Sequence, residues 1–449
     1  MKPSQHIKIF LASLSGASFA LLSACHTPMP ADDAAAAATK AAGLRAAIIF
    51  QTNSAPIDLA ASTNSLALPD AVQQAVLASP EIQMALARAR AAQADAWQTR
   101  VLPNPVLHIL FRLPEGGGAT AIEAGLATEL AHWIQQPRRI RAADHRLRAA
   151  GATVVTAALD VIAETETHYL AHVAHQETIA LLQQRQSVLA ALREVAQRRL
   201  EIGEGTRLDV AAMDAQLAEV LAELAEQRMK LAIEKLALAR LLGQPSVLHD
   251  FQLSTPLSDP APVPSEAAWI SNALQRRPEI QSARAELAAR GDDQALARLA
   301  WLSGLGAGLA AERDPDWSLG PSVTVPLPIF DTGAAARAKA EAELIEVRHH
   351  LTQLLRRAVQ EVRQAHIAQS QLQAAANHVR ERLIPLQQER ARLARAVHAV
   401  GQSDITPVRL AELDLQAAQL RLLDLRRRLA TAAIQLRRAG GGPISMPQP

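Results

Sequence analysis

The chain contains two copies of one sequence pattern, 198 residues apart. The tetrapeptide Pro-Glu-Ile-Gln begins at Pro80 and again at Pro278, and glycines between long helical patterns lie at Gly203 and Gly401. Two seven-residue leucine ladders keep the same offset: Leu217, Leu224, Leu231 and Leu238 in the first copy, and Leu415, Leu422, Leu429 and Leu436 in the second. Because several registers agree on one spacing, we interpret the chain as a tandem duplication.

Both halves share one predicted order of elements: a helix of about 30 residues, two short strands and a long helical hairpin. The linker between the halves carries five prolines, which mark a crossover segment. The first repeat is predicted at 66–243, with a helix at 67–100 and two strands in 105–133. The linker follows at 244–266. The second repeat is predicted at 267–442, with a helix at 267–300 and two strands in 302–330, and a tail occupies 443–449.

The long helices are predicted to form coiled coils, so the fold class is mainly α with a small β part. Residues 138–201 contain one glycine, Gly151, and no proline. A helix of this length extends about 90 Å, which is deeper than any globular core. Apolar residues recur every seven positions in both halves, as in coiled coils. Pro385 is expected to kink the second long helix or to divide it.

The N-terminus carries an export signal. Lys2 and Lys8 precede or border an apolar run, residues 9–22, that is too short to span a bilayer comfortably. The run ends in Leu-Ser-Ala-Cys, which resembles a bacterial lipobox, and Cys25 is the only cysteine. We therefore predict a lipoprotein signal peptide at 1–24, lipidation at Cys25 and a flexible tether over 25–65, with ordinary signal cleavage nearby as the alternative. His26 occupies the position where Asp would favour inner-membrane retention, which favours the outer membrane.

The four predicted strands carry a membrane signal. Each is about 9 to 12 residues long and has one apolar face and one small or polar face, as in Leu107, Ile109 and Phe111 against His108 and Arg112. Such strands can cross hydrocarbon with the polar face turned to a lumen. Four strands cannot close a barrel, and open edges are not tolerated in lipid, so several chains must share one barrel. Three copies give twelve strands; the alternative is that the two hairpins pack on a soluble core.

Composition and motifs argue against other classes. A formal net charge of +2 lacks the basic excess of a nucleic-acid binder. The chain has no His-Glu-x-x-His motif, no phosphate-binding loop and no cysteine nucleophile besides Cys25. The glycines at 304–310 are near a dinucleotide fingerprint in spacing, but no helix follows them, so we predict no enzyme activity and no cofactor.

Four segments resemble the TolC family of outer-membrane factors. Residues 323–344, VTVPLPIFDTGAAARAKAEAEL, are similar to the family's strand-to-helix junction, and ELAHWIQQPRRIRAADHRL holds that place in the first repeat. RRLEIGEGTRLDVAAMDAQLAE and ALARLLGQP resemble the helical turn and the closing motif of a repeat. The resemblance implies a homotrimer with a transmembrane β-barrel in the outer membrane, an α-barrel across the periplasm and an equatorial region built by the linker and chain ends. It also implies docking to a periplasmic adaptor and an inner-membrane pump, most simply of the RND type, for export of metals, drugs or other solutes.

The resemblance places the turns at Gly203 and Gly401 at the periplasmic tip, where the family closes its entrance. Asp209 matches the family's aspartate six residues after the glycine, and three copies would form an acidic ring that attracts cations. The second repeat has Pro407 there, with Asp404 and Arg409 as the nearest charges. The alternative for Asp209 is a solvated side chain near a helix start.

The segments LPNPVLHIL and PRRIRAA favour the heavy-metal branch of this family. His168, His172 and His175 lie at i, i+4 and i+7, a spacing that could bind zinc or copper. The alternative is three ordinary histidines on a long helix. Two other functions stay open: a lipid-anchored periplasmic adaptor, which would show one hairpin flanked by many short strands, and a structural coiled-coil protein, which the period-two segments disfavour.

Overall fold

The computed structural model describes residues 31–42, 47–52, 65–113, 120–243, 252–257, 264–313 and 316–442. The signal peptide at 1–24, the lipidation site Cys25 and the tail at 443–449 lie outside these residues and stay predictions.

The described chain is mainly helical, with one four-stranded sheet and one two-stranded sheet. The helices are α1 (Ala31–Ala42), α2 (Leu68–Ala78), α3 (Pro80–Arg100), α4 (Leu130–Glu201), α5 (Arg207–Leu241), α6 (Glu266–Arg276), α7 (Pro278–Ala297), α8 (Ala334–His378), α9 (Ile384–Ala399) and α10 (Thr406–Ala439), with a 3₁₀ turn at Ala300–Leu302. The strands are β1 (Ser65–Leu66), β2 (Val106–Arg112), β3 (Ala121–Glu129), β4 (Gln252–Leu253), β5 (Gly306–Arg313) and β6 (Trp317–Thr324).

The short helices of the two halves are each broken at the repeated Pro-Glu-Ile-Gln motif, so the prediction of one continuous helix at 67–100 and at 267–300 was wrong. Proline disfavours the helical conformation of the residue before it. Ser79 and Arg277 are accordingly extended, with ψ of 118° and 122°. Ser79 also caps the second helix by accepting a hydrogen bond from the Ile82 amide.

The long helices follow the predicted hairpin pattern. Helix α4 has 72 residues, which corresponds to about 108 Å, and begins before Pro137 rather than after it. A π-helical turn at Val379–Leu383 separates α8 from α9, directly before Pro385. Proline has no amide hydrogen to donate to the preceding turn, and the widened turn accommodates it. The predicted interruption near Pro385 is confirmed. It takes the form of a π-helical turn between α8 and α9, which follow each other without a loop.

The helical hairpins lie side by side in the order α5, α4, α10 and then α8 with α9. Leucines of the two predicted ladders line the contacts: Leu224 and Leu238 from the first repeat and Leu429 and Leu436 from the second are all at most 2% exposed. Helices α5 and α8/α9 form the two outer edges. No helix in the described part of the chain is long and apolar enough to cross a membrane.

The four-stranded sheet is antiparallel throughout, in the order β2, β3, β5, β6. The two repeats therefore meet at β3 and β5, and β2 and β6 are edge strands. Strand β3 has 9 residues, within the predicted range of about 9 to 12, whereas β2, β5 and β6 have 7 or 8 and are shorter than predicted. Strand β3 ends at Glu129 and α4 begins at the next residue, Leu130, so no loop separates the sheet from the helix there.

An N-terminal arm, residues 31–42 and 47–52, packs on the helices, so the prediction of a flexible tether was wrong over these residues. Ala35 and Ala38 of α1 are buried against the core. The arm lies close to Gly151 of α4, where an added Cβ would make an ordinary contact of 3.8 Å with the Ala34 Cβ. The sequence pattern of alanine and proline suited a tether, but alanine is also the strongest helix former.

The segment before α2 and the described part of the linker build a small mixed region beside the hairpins. Strand β4 of the linker pairs in parallel with β1. The Tyr169 hydroxyl, fully buried on α4, donates to the Leu66 carbonyl and accepts from the Thr255 amide. Tyr169 therefore connects β1 and the segment that follows β4 to the hairpins.

Candidate functional site

The four-stranded sheet has one face that is apolar except for Arg313 and Thr128. Its register aligns Leu107, Leu126 and Leu309 in one row across three strands. Leu107 is 64% exposed and Leu319 of β6 is 68% exposed in the single chain. Large apolar side chains on a sheet face usually mark contact with another protein or with lipid.

The opposite face is small or polar. Small, polar and charged residues occupy most of it, and Val106 and Leu110 of β2 are its large apolar side chains. Three of its charged residues, Arg112, Glu123 and Glu312, lie together near the ends of the strands that are farthest from the helices. Glu123 and Glu312 are opposite each other in register, and Arg112 bridges them at 2.9 Å and 3.9 Å. The arginine offsets the repulsion between the two carboxylates. A sheet with one apolar face and one small or polar face is typical of transmembrane β-barrels, in which one face contacts lipid and the other faces water.

The two hairpin tips share one backbone motif. Gly203 and Gly401 have φ of 78° and 72°, a left-handed conformation that glycine adopts without steric cost. In each tip the glycine and its successor donate hydrogen bonds back to the last helical turn, from Gly203 to Leu200 and from Glu204 to Arg199 in the first. This Schellman motif ends α4 and α9 in the same way.

Asp209 takes part in a capping box at the first tip. Its Oδ2 accepts from the Thr206 amide at 2.8 Å and from the Thr206 hydroxyl at 2.7 Å, while the Asp209 amide donates to the Thr206 Oγ1 at 3.2 Å. These hydrogen bonds to Thr206 lower the pKa of Asp209, and the nearby Arg199 guanidinium lowers it further. Asp209 is therefore an exposed carboxylate with a local structural role at the start of α5.

Asp404 is the repeat counterpart of Thr206, and it joins the two tips. Its carboxylate accepts from the Thr406 amide at 3.0 Å and forms an ion pair with Arg199 at the end of α4. Arg199 thus lies between Asp404 of the second tip and Asp209 of the first. Arg409 is not part of this group, because it pairs with Glu412 on its own helix at 2.9 Å.

Sequence reasoning missed Arg199. A basic residue in the last turn of a helix normally reflects the helix dipole alone. Comparison of the two repeats could have identified Arg199 as a special residue. Its counterpart in the second repeat is Val397, so only the first tip has a basic residue at this position.

The three histidines do not converge. His168 Nδ1 lies 2.6 Å from Glu234 Oε2, and His175 Nδ1 lies 2.8 Å from Gln227 Oε1. His172 is 3% exposed, and neither ring nitrogen has a hydrogen-bond partner among the described residues. Within the same residues, no three His, Cys, Asp or Glu side chains form a group that could hold a metal ion. The i, i+4, i+7 spacing places the rings on one helix without directing them to one point.

His172 gives α4 a pH dependence. Burial lowers the pKa of His172 to about 4, with a contribution from Lys235 that outweighs the opposing Glu234. The unfolded chain binds a proton near pH 6.5, so stability falls as the pH drops below that value. We expect His172 alone to lower the free energy of unfolding by about 2 kcal/mol per chain when the pH falls from 7 to 5.

Thermal unfolding at pH 7 and pH 5 checks this expectation. The decrease in midpoint should be smaller in His172→Phe, which fills the same space without titrating. An identical decrease in both proteins would show that His172 does not contribute.

Comparison with known proteins agrees with this architecture. Residues 269–442 match the family model described as outer membrane efflux protein. The chain is 26% identical over 238 residues to the cobalt-zinc-cadmium resistance protein CzcC of Cupriavidus metallidurans, a match that covers 52% of this chain and 56% of CzcC. It is 26% identical over 306 residues to the pyoverdine export outer membrane protein OpmQ of Pseudomonas aeruginosa, covering 62% of this chain and 63% of OpmQ.

These matches span less than two thirds of each relative. A solved structure, the outer membrane protein VceC of Vibrio cholerae, has the same fold, with a TM-score of 0.66 at 23% identity over 84% of this chain and 96% of VceC. The second repeat is therefore similar to the outer membrane efflux protein family, and the chain as a whole has the fold of VceC.

Proposed function

We propose that the protein is an outer-membrane channel subunit, a passive and non-catalytic conduit that works as a homotrimer in a tripartite efflux system. The observation that carries the proposal is the open-edged sheet with an exposed apolar face. In lipid, the unpaired edges of β2 and β6 need partners, because each unsatisfied backbone group there costs several kcal/mol. Three copies would pair each β2 with a neighbouring β6 and close a barrel of twelve strands.

The outer helices support the same assembly. Both edges of the hairpin layer carry exposed large apolar side chains, which a second copy would cover. Those on α5 are Leu208, Leu221, Met229, Ile233 and Leu236, and those on α8 and α9 are Ile345, Ile367, Leu386, Leu393 and Val397. Pairing α5 of one chain with α8/α9 of the next would form a helical barrel below the sheet.

The proposed partners are a periplasmic adaptor and an inner-membrane pump, with lipidation at Cys25 as a second membrane anchor. Heavy-metal ions are the first candidate cargo, because the relative CzcC is named for cobalt, zinc and cadmium resistance. OpmQ is named for pyoverdine export, so an organic cargo is the second candidate. Metal tolerance of a deletion strain, with and without the gene restored, distinguishes them.

Single-channel recording in planar bilayers tests the conduit. The purified protein should give discrete conductance steps. A protein that forms no conducting pore, and instead binds an outer-membrane channel, would be the lipid-anchored adaptor of the alternative hypothesis.

We also propose that the Asp209 carboxylates form an acidic ring at the channel entrance. Three symmetry-related carboxylates would attract cations and repel anions. Asp209→Asn keeps a capping side chain but removes the charge, so block of the conductance by multivalent cations should weaken. Unchanged conductance and unchanged block would leave Asp209 with its capping role alone.

The ion pair between Arg199 and Asp404 is proposed to hold the two tips together in the resting channel. An exposed pair contributes less than about 1 kcal/mol on its own, but Arg199→Asp also places like charges side by side. We expect the mean conductance of Arg199→Asp to rise roughly twofold or more, because the entrance would spend more time open. The charge swap Arg199→Asp with Asp404→Arg should restore the wild-type value. If the swap and the single variant conduct alike, the pair does not hold the entrance.

A further inference from the structure

Exposed aromatic residues form a cluster at the junction between strands and helices, which we call the aromatic band. Three of the five tryptophans lie there: Trp97 near the end of α3, Trp133 in the first turn of α4 and Trp301 in the 3₁₀ turn before β5. They are 55%, 52% and 47% exposed, whereas Trp269, in the second half's short helix, is buried. The exposed Trp317 begins β6, at the opposite end of the sheet.

Hydrogen bonds place the segments of this band side by side. The Gln136 side chain donates to the Arg100 carbonyl at 3.0 Å, which joins α4 to the end of α3. The Gln135 side chain donates to the Leu299 carbonyl at 3.2 Å, which joins α4 to the segment before β5. The start of α8 is also adjacent, since a Cβ added to Gly333 would lie 3.7 Å from the backbone nitrogen of Trp301.

The same segments have a strong basic excess. Residues 96–105, 129–142, 296–305 and 325–340 contain only two carboxylates, Glu129 and Asp331. They carry seven basic residues, which together we call the junction collar: Arg100, Arg138, Arg139, Arg141, Arg298, Arg337 and Lys339. The chain as a whole is almost neutral, at +2, so this excess is local.

Part of the junction collar is left without an acidic partner. Arg100 pairs with Asp144, and Arg138 and Arg141 share Asp292. Arg139 instead donates to the Gln135 side chain, and neither it nor the exposed Arg298 is ion-paired to a carboxylate of the described ranges. Lys339 is 78% exposed, and Glu343 is 3.9 Å away.

We propose that the junction collar and its tryptophans bind the headgroups of anionic phospholipids in the leaflet that faces the helices. Tryptophan is enriched at membrane interfaces, and basic clusters beside a membrane attract anionic lipids. The inference rests on the proposed function, since the sheet must lie in a bilayer for its end to meet headgroups. It adds a lipid class that the channel would select and the residues that select it.

Thermal unfolding of the full protein in a neutral detergent tests lipid selection. We expect phosphatidylglycerol to raise the midpoint by several degrees and phosphatidylcholine to raise it much less. Replacing Arg139, Arg298 and Lys339 together with glutamine should remove at least half of the phosphatidylglycerol effect. A control with Arg198, Lys230 and Arg392 replaced by glutamine removes the same charge from three surface positions on α4, α5 and α9, away from the junction, and should keep the full effect.

Three results would overturn the proposal: equal effects of the two lipids on the wild type, a full effect in the collar variant, or an equal effect of inorganic phosphate. If the collar variant does not fold, the wild type alone decides, since brominated phosphatidylglycerol should quench its tryptophan fluorescence more than brominated phosphatidylcholine does. Conductance in neutral phosphatidylcholine bilayers separates the two proposals. The wild type and the collar variant should both conduct ions there. A wild type that does not conduct would contradict the proposed channel function. The lipid proposal is tested separately, by the difference between the two lipids in the unfolding midpoint.

Discussion

Gly308→Ala is expected to reduce the yield of assembled channel more than tenfold. Gly308 lies in β5, and a Cβ there would be 2.3 Å from the Leu126 carbonyl oxygen and 3.0 Å from the Ala127 Cα. Both atoms belong to the backbone of β3, so they cannot move without breaking the pairing that joins the two repeats. Overpacking of a well-packed site costs about 1–3 kcal/mol even when side chains can adjust, and each trimer would contain three such clashes.

Gly125→Ala is the matched control. Gly125 lies in β3 on the same small face of the sheet, but a Cβ there would be an ordinary 3.7 Å from the Leu309 carbonyl oxygen. We expect near wild-type yield from this variant. Heat-resistant oligomer on gels and conductance measure the outcome for both proteins. Wild-type yield and conductance from Gly308→Ala would mean that β3 and β5 are not paired in this register.

Arg438→Leu is expected to destabilise the protein by about 3 kcal/mol, because it leaves a largely buried carboxylate without its main partner. Arg438 of α10 is 18% exposed and pairs with both Asp160 of α4 and Glu279 of α7. Burial opposes ionisation of Glu279, but Arg438 and Arg277 outweigh it and lower the pKa of this carboxyl. The pKa of Arg438 is raised by its two carboxylate partners against the effect of burial.

The repeat supplies the control for Arg438. Its counterpart is Arg240, whose side chain is 56% exposed and which, within the described ranges, forms an ion pair with Glu164 only. Arg240→Leu should cost less than about 1 kcal/mol, as for exposed ion pairs. Guanidinium unfolding followed by circular dichroism compares the two variants. Equal destabilisation would show that the three-helix contact at Arg438 contributes no more than a surface pair.

Periodicity predicted the parts of the fold that local sequence determines. Heptad leucines and the absence of proline predicted the long helices, and the glycine turns at Gly203 and Gly401 end helices as expected. The repeat predicted the two halves. The sequence analysis did not predict the helix breaks at Pro80 and Pro278, although the repeated tetrapeptide begins with the proline that causes each break.

Tertiary contacts explain what the sequence could not predict. The pairing of Arg199 with Asp404 joins residues far apart in the chain, so no local spacing indicates it. The arm at 31–42 is helical because Ala35 and Ala38 are buried on α4, a contact that composition does not predict. Spacing on α4 suggested a site at His168, His172 and His175, whereas partners on α5 separate two of these rings from any shared point.

The mass of the native protein in detergent tests the central proposal most directly. If strands β2 and β6 of different copies pair to close one barrel, sedimentation equilibrium at matched detergent density should give three times the mass of one chain. The same particles should conduct ions when they are inserted into a bilayer. A conducting particle with the mass of a single chain would contradict the account, because it would mean that four strands can seal a pore without neighbours.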